Sequence, residues 1–193
     1  AFSDSYNNLG NVLKKLGKLD EALECYEMGI SVNPNDVDIH NNIGRLFSKL
    51  KRMDEALQSY NTALKINPLH AETYKNLGII FMKLDRLDES FKHIEKALKL
   101  NPEYAEGHSM KGRILSEFDQ LDEALESFRK ANQIDSNLYF ILSNIMQTKM
   151  RLCDWSNLPE LLETLKSRIN NNEKHTIIPF DLLSLIDDPR LQK

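Results

Sequence analysis

Asn41-Asn42-Ile43-Gly44 decides the fold, because the chain carries the same block at a fixed spacing on either side of it. Asn7-Asn8-Leu9-Gly10 precedes it, and Lys75-Asn76-Leu77-Gly78 and Ser109-Met110-Lys111-Gly112 follow, each block 34 residues after the last. A period of that length marks an array of helix pairs. One pair cannot bury its own apolar face, so pairs stack into a solenoid whose inner wall forms a long groove. Function is then to be sought in columns of repeated side chains rather than in one deep pocket.

Working outward, the unit Ser3 to Asp36 supplies a frame of 34 places. Places 4, 7, 8 and 11 hold Tyr6, Leu9, Gly10 and Leu13, the spacing of one helical face, which predicts helix A. Gly17 is suited to stop that helix, and Asp20 to cap a second, helix B, whose inward residues are Ala22, Leu23, Tyr26 and Ile30. Asn33-Pro34 ends it, since proline lacks an amide donor and pushes its predecessor out of the α region. The next three units keep this grammar, the fourth with Ser136 in place of the proline. Small residues at places 8, 20 and 27 let the helices approach, and bulky ones at 4, 11 and 24 fill the space beside them.

These residues resemble the tetratricopeptide repeat family, with an aromatic at place 4, Leu-Gly at 7 and 8, Ala at 20 and 27 and Pro at 32. The resemblance implies an all-α fold, a right-handed superhelix (α-solenoid) of antiparallel helix pairs with helix A on the concave side. Four full repeats are expected within 1–138, at 3–36, 37–70, 71–104 and 105–138. A degenerate fifth occupies 139–172, and a tail at 173–193 reads as the truncated start of a further domain.

Composition bounds the function. With 193 residues, 41% hydrophobic and 28% charged, the chain reads as a soluble folded protein. Its net charge of -4 gives no footprint for nucleic acid, the stretch Ala1-Phe2-Ser3-Asp4 does not read as the basic flank or apolar run of a signal peptide, and no apolar run is long enough to span a membrane. Cys25 and Cys153 have no CxxC spacing, so they are expected to be reduced, half-buried packing residues in a cytoplasmic protein. No catalytic motif, cofactor or metal site is expected. His40 and His108 sit at the packing place, and His70, His93 and His175 lack ligand spacing.

Places 2, 5, 6, 9 and 13 of helix A fall outside the packing set and are candidates for the concave wall. Place 6 reads Asn8, Asn42, Asn76, Met110 and Asn144. Asparagine is a poor mid-helix residue, and its carboxamide offers the donor and acceptor that would hold the backbone of an extended peptide as a ladder. The competing use is hydrogen bonding from helix to helix along the array. Place 2 reads Asp4, Asp38, Glu72 and Glu106, acids that would bias the choice of peptide side chain or merely favour the helix N-terminus. Lys15, Lys49 and Lys83 at place 13 are expected to be solvated and to favour the helix C-terminus. The clamp by which related domains hold a chaperone's terminal carboxylate is a poor match, because Glu72 stands where it needs a cation.

The grammar is expected to stop at Cys153-Asp154-Trp155-Ser156, followed by an amphipathic helix from Leu158 to Ile169. That element resembles the junction between repeats and catalytic domain in O-linked N-acetylglucosamine transferases and their bacterial relatives. The resemblance implies a partner-recognising arm of such a glycosyltransferase, itself without catalytic residues. A free-standing scaffold is the alternative, and self-association through the uncapped ends of the array is a third expectation.

Overall fold

The computed structural model describes residues 2–138 and 140–170. The expected tail at 173–193 lies outside the described residues, as does His175. The run Asn170-Asn171-Asn172 reads as a loop from its composition, but Asn170 instead closes the last described helix, and Asn171 and Asn172 lie outside the described residues. Among the described residues every regular element is a helix. Two compact units divide the chain, Ala1–Pro102 and Glu103–Lys193.

The first unit holds α1 (Phe2–Lys15), α2 (Leu19–Val32), α3 (Val37–Lys49), α4 (Met53–Ile66), α5 (Ala71–Lys83) and α6 (Leu87–Leu100). Three residues join the helices of each pair, which forces them antiparallel and side by side. Glycine at place 8 permits the close approach: a Cβ on Gly44 would stand 2.5 Å from Tyr60 Cε1, and one on Gly10 the same distance from Tyr26 Cε1. Ala22, Tyr26, Ala56, Tyr60, Ala63, Ile94 and Ala97 are buried beneath this contact. Successive pairs meet through α3, where Ile39, Ile43 and Leu46 pack on Ala22 and Tyr26.

The second unit holds α7 (Ala105–Glu117), α8 (Leu121–Ile134), α9 (Ile141–Arg151) and α10 (Leu158–Asn170). Gly112 presses on Phe128 as Gly10 does on Tyr26. In α9 Met146 takes the glycine's place and is fully buried.

Place 15 ends every helix A with a left-handed residue: Gly17, Lys51, Asp85, Asp119 and Cys153, with φ between 54° and 80°. The amide of the following residue reaches back to the carbonyl at place 11 in all five, from Lys18 to Leu13, Arg52 to Phe47, Arg86 to Phe81, Gln120 to Leu115 and Asp154 to Lys149. This bond closes the last turn of the helix. The repeat grammar therefore runs through Cys153 instead of stopping there, and the break comes after it: α10 begins three places later than its counterparts. Cys153 is exposed, contrary to the expected half-burial, because the left-handed position stands at the surface.

Asp20 also differs from expectation. Lys18 is the N-cap of α2 and Asp20 lies in the first turn, where its charge favours the helix N-terminus. The cations at the same place pair along the first turn instead, Lys18 with Glu21, Arg52 with Glu55 and Arg86 with Glu89. Arg52 and Arg86 also stack over the Phe47 and Phe81 rings.

Candidate functional site

The asparagine column divides in two when its neighbours are in place. Asn42 Nδ2 donates to Asn7 Oδ1 at 2.8 Å, and Asn76 Nδ2 donates to Asn41 Oδ1 at 2.9 Å. Each is a bond from place 6 of one helix A to place 5 of the helix A before it. Asn41, Asn42 and Asn76 are accordingly buried, so places 5 and 6 belong in part to the packing between repeats, not outside it. Asn8 is exposed and Asn144 half-buried, and neither side chain has a hydrogen bond among the described residues. Met110 is buried.

The acids at place 2 all stand at the surface. Glu72 accepts from Arg45 at 3.5 Å and lies 3.6 Å from Lys75, and Asp38 lies 3.3 Å from His70 Nε2. Pairs this exposed contribute little to stability. Glu106 has no such partner among the described residues.

The cations at place 13 are exposed, as a solvated column should be, and they also form a clasp between repeats. Lys49 Nζ donates to the Lys14 carbonyl at 3.5 Å, Lys83 Nζ to Ser48 Oγ at 3.4 Å, and Arg151 Nη1 to the Ser116 carbonyl at 3.1 Å. Lys49 and Arg151 thus serve carbonyls near the C-terminus of the preceding helix A, which lack intrahelical partners, and Lys83 serves a hydroxyl there. Place 4 has a local duty as well, since His40 Nε2 and Tyr74 Oη bond the carbonyls of Pro34 and Pro68. His93 stacks on Phe81 at 5.1 Å.

In the first unit the wall beside α1 is filled by its own side chains. Asn11 Oδ1 accepts from Tyr26 Oη at 2.9 Å and from Lys14 Nζ at 3.0 Å, and the Lys14 ammonium lies 5.7 Å from the centre of the Tyr26 ring. Burial, and then the nearby Arg45, lower the Lys14 pKa to about 8. Burial raises the Tyr26 phenol to about 12.

Three repeats further on, the same places leave a cavity of about 190 Å³, lined by Arg113, Ser116, Glu117, Phe128, Asn144, Gln147, Thr148 and Arg151. Ser116 stands where Lys14 stands in the first repeat, and Phe128 replaces Tyr26, so the ammonium and hydroxyl that fill the first site are missing from the second. Arg151 is held by Asp119 at 2.8 Å. The side chains of Arg113, Glu117, Asn144 and Gln147 have no hydrogen bond or ion pair among the described residues. All four stand at candidate concave places, but only Asn144 belongs to a column of repeated residues, and Glu117 interrupts the cations of place 13. Gln147 and Arg113 share place 9, whose mixed Asn, Arg, Ile, Arg, Gln series gives no repeated signal.

The Asp154 turn has a structural partner. Lys149 occupies place 11, a core place, and is 2% exposed; its ammonium meets Asp154 at 2.5 Å and Ser156 Oγ at 3.0 Å. The Lys149 ammonium, and then Ser156, hold the Asp154 carboxyl well below the usual carboxylate range. At the other end of the chain, Leu9 and Val12 on α1 and Leu16 just after it are 49%, 53% and 69% exposed. Leu9 is thus not the inward residue that its spacing suggested, although Ile43 at the same place is buried by α1 and α2.

No three His, Cys, Asp or Glu side chains converge as a metal site among the described residues, and no described helix is long and apolar enough to cross a membrane. Tetratricopeptide repeat models match residues 3–36, 37–69 and 71–104, and a second model of that description matches 93–126. No curated protein sequence matches the chain. Among solved structures, pilF of Pseudomonas aeruginosa is similar at 18% identity and a TM-score of 0.78, over 83% of this chain and 73% of that one. MamA from Desulfovibrio magneticus RS-1 is similar at 17% identity and a TM-score of 0.74, over 89% and 97%. YrrB, described as a repeat protein with an unusual peptide-binding site, is similar at 22% identity and a TM-score of 0.65, over 88% and 86%.

Proposed function

Because this chain belongs to the tetratricopeptide repeat family, we propose that it is a protein-interaction module whose A helices hold an extended peptide or protein segment. One observation carries this reading: Arg113, Glu117, Asn144 and Gln147 surround a cavity and leave their hydrogen-bonding groups unused. Polar side chains held on rigid helices without internal partners are suited to a ligand's backbone and side chains. The peptide contacts we assign are Asn8 in the first unit and Asn144 in the second, with the exposed acids of each, Asp4, Asp38 and Glu72 in the first and Glu106 in the second, biasing side-chain choice. Asn42 and Asn76 fix one repeat against the next.

The test is a pool of random-sequence decapeptides, fluorescently labelled and read by anisotropy. Binding should weaken when Arg113, Asn144 and Gln147 are together changed to Ala, and should persist when Glu126 and Arg129, exposed on α8, are changed instead. Peptides that bind equally well to both variants would place the contact elsewhere.

The sharper version, a recognition arm of an O-GlcNAc-transferase-like glycosyltransferase, rests on the Cys153-Asp154-Trp155 motif. That motif has a local reason to exist, as the fifth copy of the helix-ending turn and the partner of Lys149. The scaffold reading needs no glycosyltransferase domain, and a sugar-nucleotide site encoded elsewhere in the parent gene would favour the arm.

A second copy of the chain is the other partner that one observation favours. Leu9, Val12 and Leu16 present the apolar face that α3 buries on the preceding pair. Light scattering should show a concentration-dependent dimer that Leu9→Glu abolishes; a monomer at every concentration removes this reading.

A further inference from the structure

The geometry points to a more specific role for the cavity between α7, α8 and α9: it accepts an acidic side chain, Asp or Glu, from within a partner peptide. The inference rests on the peptide-binding reading and names the side-chain class that this one subsite takes.

Size and donor chemistry both support it. A space of about 190 Å³ admits one side chain of moderate length rather than a folded surface. Around it the Arg113 guanidinium is a cation with no internal partner, and the Asn144 and Gln147 carboxamides and the Ser116 hydroxyl add neutral donors beside it. A carboxylate only accepts, and its bonds to a guanidinium are charge-assisted, so it complements this lining better than an amide or an ammonium does. Glu117 is the one acidic group in the wall. It would repel the ligand's carboxylate from its own side and accept from a peptide N–H, which orients the ligand toward Arg113. Arg151 is already neutralised by Asp119 and adds little.

The first unit supplies an internal control. There the corresponding space holds Lys14 and the Tyr26 hydroxyl, both bonded to Asn11, so the protein itself puts a cation where the second unit has Ser116. Lys14 shows that this space can hold a long side chain, and Ser116 with Phe128 leaves that room to a ligand.

The probes are N-acetylglutamate N-methylamide and its glutamine and lysine counterparts, titrated into the 15N-labelled full chain and read at the Asn144 and Gln147 side-chain amides. The glutamate probe should shift these signals saturably, the glutamine probe more weakly and the lysine probe not at all. R113Q should lower affinity for the glutamate probe by about tenfold or more, the scale of a lost charge-assisted bond. Arg113 is exposed and without an internal partner, so the variant should keep its helical circular dichroism. S116K is the decisive variant, because it adds positive charge while filling the space. Weaker binding of the glutamate probe to S116K supports a pocket, whereas tighter binding would reduce the effect to surface charge and overturn the proposal. Unchanged affinity in R113Q, or equal response to all three probes, also overturns it. Decapeptides that bind without any preference for Asp or Glu overturn the pocket and leave the groove; decapeptides that fail to bind, while the glutamate probe succeeds, overturn the groove alone.

Discussion

Asn76 donates its Nδ2 proton to Asn41 Oδ1 at 2.9 Å, and the same oxygen accepts from Thr73 Oγ1 at 3.2 Å. One buried acceptor therefore fastens the third repeat to the second. Its counterpart one period earlier is the bond from Asn42 to Asn7.

Asn41→Ala strands both donors in a buried site, which costs about 1–3 kcal/mol. Urea unfolding should show a loss of that size for Asn41→Ala, against a change within about 0.5 kcal/mol for the exposed Asn8→Ala. Equal small effects would mean that the buried network adds nothing to stability. The same reasoning makes a double change of Asn42 and Asn76 a poor probe of peptide binding, since it would loosen the array as well.

Gly44→Ala should destabilise for a different reason. The new methyl would meet the Tyr60 ring at 2.5 Å, an overpacking that costs about 1–3 kcal/mol. Gly17→Ala meets nothing within 4 Å but must hold a φ of 80°, a strain of about 1–2 kcal/mol. The two should separate structurally: a crystal structure of Gly44→Ala should show Tyr60 displaced, and one of Gly17→Ala should show no neighbour moved.

The Lys149–Asp154 pair makes an acid-side prediction. Asp154 has a folded pKa held below its ordinary 3.8, so its stabilisation is complete above that value and is lost as pH falls through the folded pKa. Asp154→Asn should lower the thermal midpoint at pH 7 and flatten its dependence on pH between about 2 and 5. A parallel downward shift at every pH would show that the ion pair is not responsible. Lys149→Met, which suits the core place without a charge, should recover stability in the Asp154→Asn background.

Lys14 makes an alkaline-side one. With a folded pKa of about 8 against 10.5, the unfolded chain binds more protons between these values, so this group's contribution makes stability rise with pH across that window. The Lys14 side-chain signal should titrate near 8 in the folded protein. Arg45→Gln should move the midpoint upward, because a like charge is removed. A midpoint left at 10.5 in the parent protein would contradict the half-buried position of the ammonium.

How far the sequence could be read differs between residues at adjacent places. Gly10, Gly44, Gly78 and Gly112 announced the close helix contact, because a Cβ at any of these four would collide with the facing side chain, whereas α9 carries Met146 at that place. Place 13 was legible as a cationic column but not as a clasp, since the group that Lys49, Lys83 or Arg151 meets belongs to the repeat before. Lys149 was illegible altogether. A lysine at a core place reads as a defect until the turn that follows it brings Asp154 and Ser156 to its ammonium.

By itself the sequence determined the helix pairs, their period and the residues at their contacts, because burying an apolar face fixes spacing and size locally. Tertiary structure decided which polar groups remain for a partner. Four asparagines at one place look alike along the chain, yet Asn42 and Asn76 are committed to their neighbours while Asn8 and Asn144 are not. A hydrogen bond needs its second partner brought within about 3 Å. Only the stacking of one repeat on another sets that distance.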